Sequence, residues 1–286
     1  MNTSPRPVVV GISAKQSTVL RYAVAEAARL KTSLRVVHCF ALPTQAAEFY
    51  VGGDVLDSYR IAGEAVIADS RELIEDEYPE AEVEYVLANG MPGVVLLAES
   101  ATAQAIVLGA DDIPWYDRML GGEVSGHLAR KASCPVVVVP EVEQPEVDRV
   151  GSRRDGVVVT IDGDTSATSP LRYGFEQADL RGETLHVLHA APAATMQDDF
   201  DNHRANVAEI LAGWAELYPG VRVLSSLTSG DPLETCIAAT EHASLVVIGR
   251  PHSHTVLFAL ARPMAMQVLR QAHCPVAVVP TDYRGV

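Results

Sequence analysis

Short β-branched runs alternate along this chain with longer stretches in which apolar residues recur at helical spacing. In the first half the runs predict strands near 8–13, 34–39, 82–88, 105–110 and 135–140. The intervening stretches predict helices near 17–30, 53–77, 92–101 and 122–132. Ala23, Ala27 and Leu30 keep the spacing of one helix face, whereas Val136–Val139 is a continuous apolar run suited to a strand covered on both faces. Strand–helix alternation at this pitch implies right-handed crossovers and a parallel sheet with helices on both sides.

The pattern then repeats. Cys134-Pro-Val-Val-Val-Val-Pro140 recurs 140 residues later as Cys274-Pro-Val-Ala-Val-Val-Pro280. The same offset carries Ile106-Val-Leu-Gly109 onto Val246-Val-Ile-Gly249, Gly90 and Pro92 onto Gly230 and Pro232, and Tyr78-Pro79 onto Tyr218-Pro219. Upstream the offset becomes 151, taking Leu34–His38 onto Leu185–His189 and Leu20-Arg-Tyr22 onto Leu171-Arg-Tyr173, and Val8–Val10 meets Val157–Val159 at 149. The offset changes only between elements, so the two halves differ in loop length and the chain is a tandem duplication. The expected layout is one α/β domain over 1–142, a linker over 143–156 and a second domain over 157–286. Each is a five-stranded parallel sheet of Rossmann-like or flavodoxin-like order.

Composition fits that picture. The 286 residues are 48% apolar and 21% charged, as expected of two globular domains. Divided near residue 142, the halves carry 11 basic against 19 acidic residues and 11 against 18. The net charge of −15 argues against nucleic acid or an anionic membrane as partner. The longest apolar run, Val256–Ala261, is six residues, where a membrane helix needs about 20. The N-terminus runs directly into the first strand without a signal-like segment, so the expected location is the cytoplasm. Cys39, Cys134, Cys236 and Cys274 have neither C-x-x-C nor metal-type spacing and read as structural thiols in a reducing compartment.

The closing strands raise a separate expectation. A Val-rich run without charge at a sheet edge invites pairing, so 135–140 and 275–280 are expected to join the two halves as a pseudo-dimer.

Val-Val-Val-Gly-Ile-Ser13 and Val-Val-Val-Thr-Ile-Asp162, the Leu-Gly109 and Ile-Gly249 strand ends, and both Cys-Pro-Val segments resemble the universal stress protein family in its tandem form. The resemblance implies domains related to the adenine nucleotide alpha hydrolases, and a stress-associated, non-catalytic protein that works through ligand or partner binding. Family members that bind ATP carry an aspartate at the end of strand one. After strand four they have Gly, two residues, Gly, nine residues, Gly and Ser or Thr. Here those positions are Ser13, then Gly109, Asp112, Gly122 and Glu123 in half one, and Asp162, then Gly249, His252, Arg262 and Pro263 in half two.

Such glycines let backbone N–H groups approach phosphate oxygens, and side chains at those positions obstruct the approach. Half one also places Asp111, Asp112, Asp117 and Glu123 in or beside the loop, and each carboxylate–phosphate pair at 4 Å would repel by about 4 kcal/mol at an effective dielectric near 20. Ser13, Gly109 and Gly122 therefore read as a vestigial site. Half two keeps Asp162 and surrounds Gly249 with Arg250, His252, His254 and Arg262, which favour an anion. No cofactor is required by the sequence; ATP or another adenine nucleotide is the candidate for half two.

Competing readings stay open at this stage. Asp162, His252 and His254 could serve a nucleotide-hydrolysing or metal-assisted hydrolase, although His-x-His lacks a placed third ligand. Trp115 and Tyr116, and Phe258 in the matching loop, either fill vacated phosphate space or meet a homodimer or protein partner. Repeat-equivalent His38 and His189 predict hydrogen-bonded structural imidazoles. No nucleophile elbow, Walker loop or dinucleotide fingerprint occurs.

Overall fold

The computed structural model describes residues 5–14, 16–41, 53–110, 124–140, 156–161, 167–191, 200–250 and 258–285. The chain divides into two compact units, 1–141 and 142–286.

The first unit runs β1 (Val8–Ile12), α1 (Ser17–Arg29), β2 (Leu34–Phe40), α2 (Gly53–Glu77), β3 (Val83–Asn89), α3 (Pro92–Glu99), β4 (Ala105–Gly109), α4 (Val124–Lys131) and β5 (Val136–Val139). Its strands are all parallel, in the order β3-β2-β1-β4-β5. The second unit repeats this with β6 (Val157–Thr160), α5 (Thr168–Arg181), β7 (Leu185–Ala191), α6 (Phe200–Leu217), β8 (Val223–Ser229), α7 (Pro232–Thr240), β9 (Leu245–Gly249), α8 (Phe258–Gln271) and β10 (Val276–Val279). Its order is β8-β7-β6-β9-β10, again parallel.

Both units bury their central strands from two sides, which is why those strands are unbroken apolar runs. Val8, Val9 and Val10 are fully buried in the first unit, as are Val157, Val159, Leu245, Val246 and Val247 in the second. Helices α1 and α2 pack together on one face and α3 and α4 on the other. In the second unit Phe175 of α5 stacks on Trp214 and Tyr218 at the end of α6, with ring centroids 5.8 and 5.4 Å away.

Equivalent positions sometimes solve one problem with different residues. Helix α5 ends on Gly182 in the left-handed region (φ 63), and the matching residue after α1 is Lys31 at φ 52. Asp231 caps α7 by accepting from the backbone N–H of Leu233 at 2.7 Å; its counterpart Met91 has no side-chain acceptor to offer α3.

Past β10 the chain folds back onto α5. Ser169 Oγ donates to the Thr281 carbonyl at 2.7 Å, and the Tyr283 hydroxyl donates to Glu176 at 2.6 Å. The Tyr283 ring meets Tyr173 edge to face at 5.6 Å. Burial first, and then the nearby Glu176 carboxylate, push the Tyr283 phenol well above its ordinary pKa.

Candidate functional site

In a sheet of this order the crossovers leave the central strand in opposite directions, and a crevice opens at the carboxyl ends of β1 and β4. The register Val8↔Ala105, Val9↔Ile106 and Val10↔Val107, continued, sets Ile12 opposite Gly109. The register Val157↔Leu245 through Val159↔Val247 likewise sets Ile161 opposite Gly249. The fold thus brings the strand-one and strand-four candidates of each half to one place.

In half one the backbone donor at that place is already engaged. Gln16, only 4% exposed, turns its carboxamide back so that Oε1 accepts from the Ser13 backbone N–H at 3.2 Å. The amide at the strand-one position is therefore satisfied by a residue three positions on, immediately before α1. Gly109 closes β4, and the following Ala110 N–H continues the ladder to the Val139 carbonyl at 2.9 Å. Gly11, within β1, is closely packed: a Cβ there would lie 2.7 Å from a terminal methyl of Leu96 and 2.8 Å from one of Leu108.

Half two is built alike up to its loops. The Ile161 N–H donates to the Leu188 carbonyl at 3.0 Å, and the Ile161 carbonyl accepts from His189 Nδ1 at 2.9 Å. The carbonyl partner fixes the tautomer, since it can only accept: the proton sits on Nδ1. His38 does the same for Ile12 at 2.8 Å. These two imidazoles are the hydrogen-bonded structural histidines expected from their repeat equivalence. Each clamps the backbone just before the strand-one position. Gly249 abuts α5, where a Cβ would come within 3.3 Å of the Pro170 ring. The Arg250 N–H extends the ladder to the Val279 carbonyl at 2.8 Å.

Of the other sequence candidates, Asp162, His252, His254 and Gly122 lie outside the described residues, as do Trp115 and Tyr116. Arg262 falls within α8, its side chain outside the described ones, and the same holds for Phe258. Gln16 and Pro170 escaped sequence reasoning altogether. A glutamine three residues past the strand end was the available signal for the first; nothing in the pattern marks the second. Of the cysteines, Cys134, Cys236 and Cys274 are buried, whereas Cys39 is partly exposed, and burial raises its thiol pKa from 9.0 to about 11. Among the described residues no helix is long and apolar enough to cross a membrane.

Residues 5–140 and 154–280 each match the universal stress protein family model. The chain belongs to that family, with two of its domains in tandem. It is 27% identical to a universal stress protein of Mycolicibacterium smegmatis over 95% of this chain and 96% of that one. It is 28% identical to one of Mycobacterium tuberculosis over 95% and 99%. Among solved structures, a universal stress protein from Archaeoglobus fulgidus superposes with a TM-score of 0.74 at 20% identity, covering 99% of this chain and 97% of that one. A universal stress protein from Pseudomonas aeruginosa gives 0.59 at 18% identity over 96% and 91%. These two structures establish the shared fold.

Proposed function

We propose that this protein is a non-catalytic, cytoplasmic stress-response protein in which half one has lost nucleotide binding. Half two then keeps at most a residual site for an adenine nucleotide or another anion, formed by Asp162, Gly249, Arg250, His252, His254 and Arg262. The observation that carries the reading is the Gln16 carboxamide on the Ser13 N–H, which takes up the backbone donor at the strand-one position of half one. Replacement of the strand-one aspartate by Ser13 and of the motif's second glycine by Asp112 supports it.

Isothermal titration of ATP and AMP into wild type, Asp162→Ala and Arg250→Ala tests this directly, with phosphate and ADP release followed in parallel. One weak site or none, weakened further by either substitution, is the expected result. Tight binding indifferent to both, or turnover of ATP above background, would overturn it.

The same reading has the halves pair through 135–140 and 275–280, leaving other surfaces for a second copy or a protein partner and none for nucleic acid. Its support is the absence of charge in Val136–Val139 and Val276–Val279, each at the end of its own unit's strand order. In an unpaired edge strand alternate amides face water. Slow hydrogen exchange at all four amides of both strands is expected, and fast exchange at alternate amides would reject the pairing.

A further inference from the structure

The two units differ in the space between the second helix and the outer two strands. In unit 1 that space is closed. A Cβ on Gly63 of α2 would lie 2.8 Å from Leu87 and 2.9 Å from His38, so the helix rests directly on β2 and β3. Tyr85 fills the outer end, with the Arg71 guanidinium 4.3 Å above its ring. Glu64, beside Gly63, is engaged by Arg60 at 2.5 Å.

At the repeat offset of 140 the counterparts of Gly63, Glu64 and Tyr85 are His203, Arg204 and Ser225. A glycine that allowed close approach is gone, a ring has become a hydroxymethyl group, and a carboxylate has become a guanidinium. Unit 2 has there a cavity of about 220 Å³ lined by His189, Arg204, Val207, Ser225, Ser226 and Leu227. Strand pairing sets His189 beside Leu227 and Val187 beside Ser225. His189 and Val207 are buried, while Arg204, Ser225 and Ser226 are exposed at its rim. Among the described residues no carboxylate pairs with Arg204.

We infer that this cavity is a binding site for a small carboxylate with a short apolar chain. The volume equals about seven water molecules at ~30 Å³ each, which suits an organic acid of a few carbons and is small for a nucleotide. A guanidinium offers a planar fork matched to a carboxylate, and the hydroxyl of Ser225, which shares its face of β8 with Leu227, can donate to the same oxygens. Val207 and Leu227 give the chain an apolar wall. His189 also bonds the Ile161 carbonyl beside the strand-end crevice, but the inference does not rest on nucleotide binding there.

Titration of the full chain with sodium butyrate, read by the ¹H–¹⁵N shifts of the His189 imidazole and the Ser225–Leu227 amides, tests the inference. Butyramide and inorganic phosphate serve as comparison ligands. Saturable shifts with butyrate are expected at millimolar concentration, with at least tenfold weaker binding in Arg204→Gln and none in Ser225→Tyr, which rebuilds the packing of unit 1. Should the tyrosine variant fail to fold, Arg204→Gln alone decides, since Arg204 lies on the exposed face of α6. Absence of saturation, equal binding of butyramide or phosphate, or undiminished binding in Arg204→Gln would each overturn the assignment.

Discussion

Met91 and Asp231 occupy one backbone conformation, with φ,ψ of −65°,128° and −71°,121°, each ahead of a proline that opens its helix. Only Asp231 offers the first turn an acceptor. Replacing it with alanine strips the Leu233 N–H of a 2.7 Å bond and the Glu234 N–H of a longer one at 3.4 Å. A cap of this kind contributes about 1 kcal/mol, so Asp231→Ala should cost about that. Met91→Asp should gain less. In unit 1 the Val94 N–H already donates to the Met91 carbonyl at 3.0 Å, which leaves chiefly Gly93 to benefit. Met91 is 59% exposed, so little packing is sacrificed, and a gain of about 0.5 kcal/mol remains. On the usual scaling these are shifts of roughly 2–4 °C down and 1–2 °C up in Tm. Calorimetry with each variant, together with native-state hydrogen exchange in the first turns of α3 and α7, separates the two effects. A Met91→Asp chain no more stable than wild type, or an Asp231→Ala chain unchanged, would refute the capping argument.

Three further outcomes follow from the same comparisons. Lys31 sits in the left-handed region where unit 2 has Gly182, so Lys31→Gly should stabilise by about 1 kcal/mol in urea unfolding, and Gly182→Lys should destabilise by a similar amount. Tyr283→Phe removes the bond to Glu176 and should cost about 1 kcal/mol at neutral pH. Because the folded phenol pKa is raised, wild-type stability is fully present below about pH 10 and falls as pH rises beyond it; the variant should lack that part of the alkaline loss. Cys39, with its thiol pKa moved from 9.0 to about 11, should react with iodoacetamide at pH 8 about a hundredfold more slowly than an unshifted thiol, two pKa units being that factor in thiolate. Peptide mass spectrometry would measure it.

Much of the fold could be read directly from residue order. Valine runs at 8–10, 136–139, 157–159 and 276–279 are strands because only an extended, doubly covered segment buries such a run efficiently. Repetition of the Cys-Pro-Val segment exposed the duplication. The paired histidines were legible for the same reason: a residue kept at both copies of a strand end points to a shared backbone task. What stayed hidden depends on contacts between elements that no periodicity encodes. Gln16 matters only because the chain turns between β1 and α1. Gly63 and Tyr85 acquire meaning once α2 is known to lie on β2–β3, and Ser225 once its neighbours Arg204 and Val207 are placed. Tyr283 lies beyond Pro280, the last residue matched between the repeats, so no partner position drew attention to it.

The contacts made by Ser169, Tyr173 and Glu176 with Thr281 and Tyr283 also bear on the order in which the protein is made. Everything unit 1 needs, from β1 to β5, has left the ribosome while unit 2 is still being synthesised. Unit 2, by contrast, receives β10 and the residues that cover α5 after all its other elements. Synthesis therefore divides the duplicated halves into an early folder and a late one. Chains arrested before residue 276 should resist protease over unit 1 and be cleaved throughout unit 2. Substitutions at Ser169 or Tyr283 that loosen this last contact should therefore slow the acquisition of protease resistance in unit 2 while leaving unit 1 on schedule.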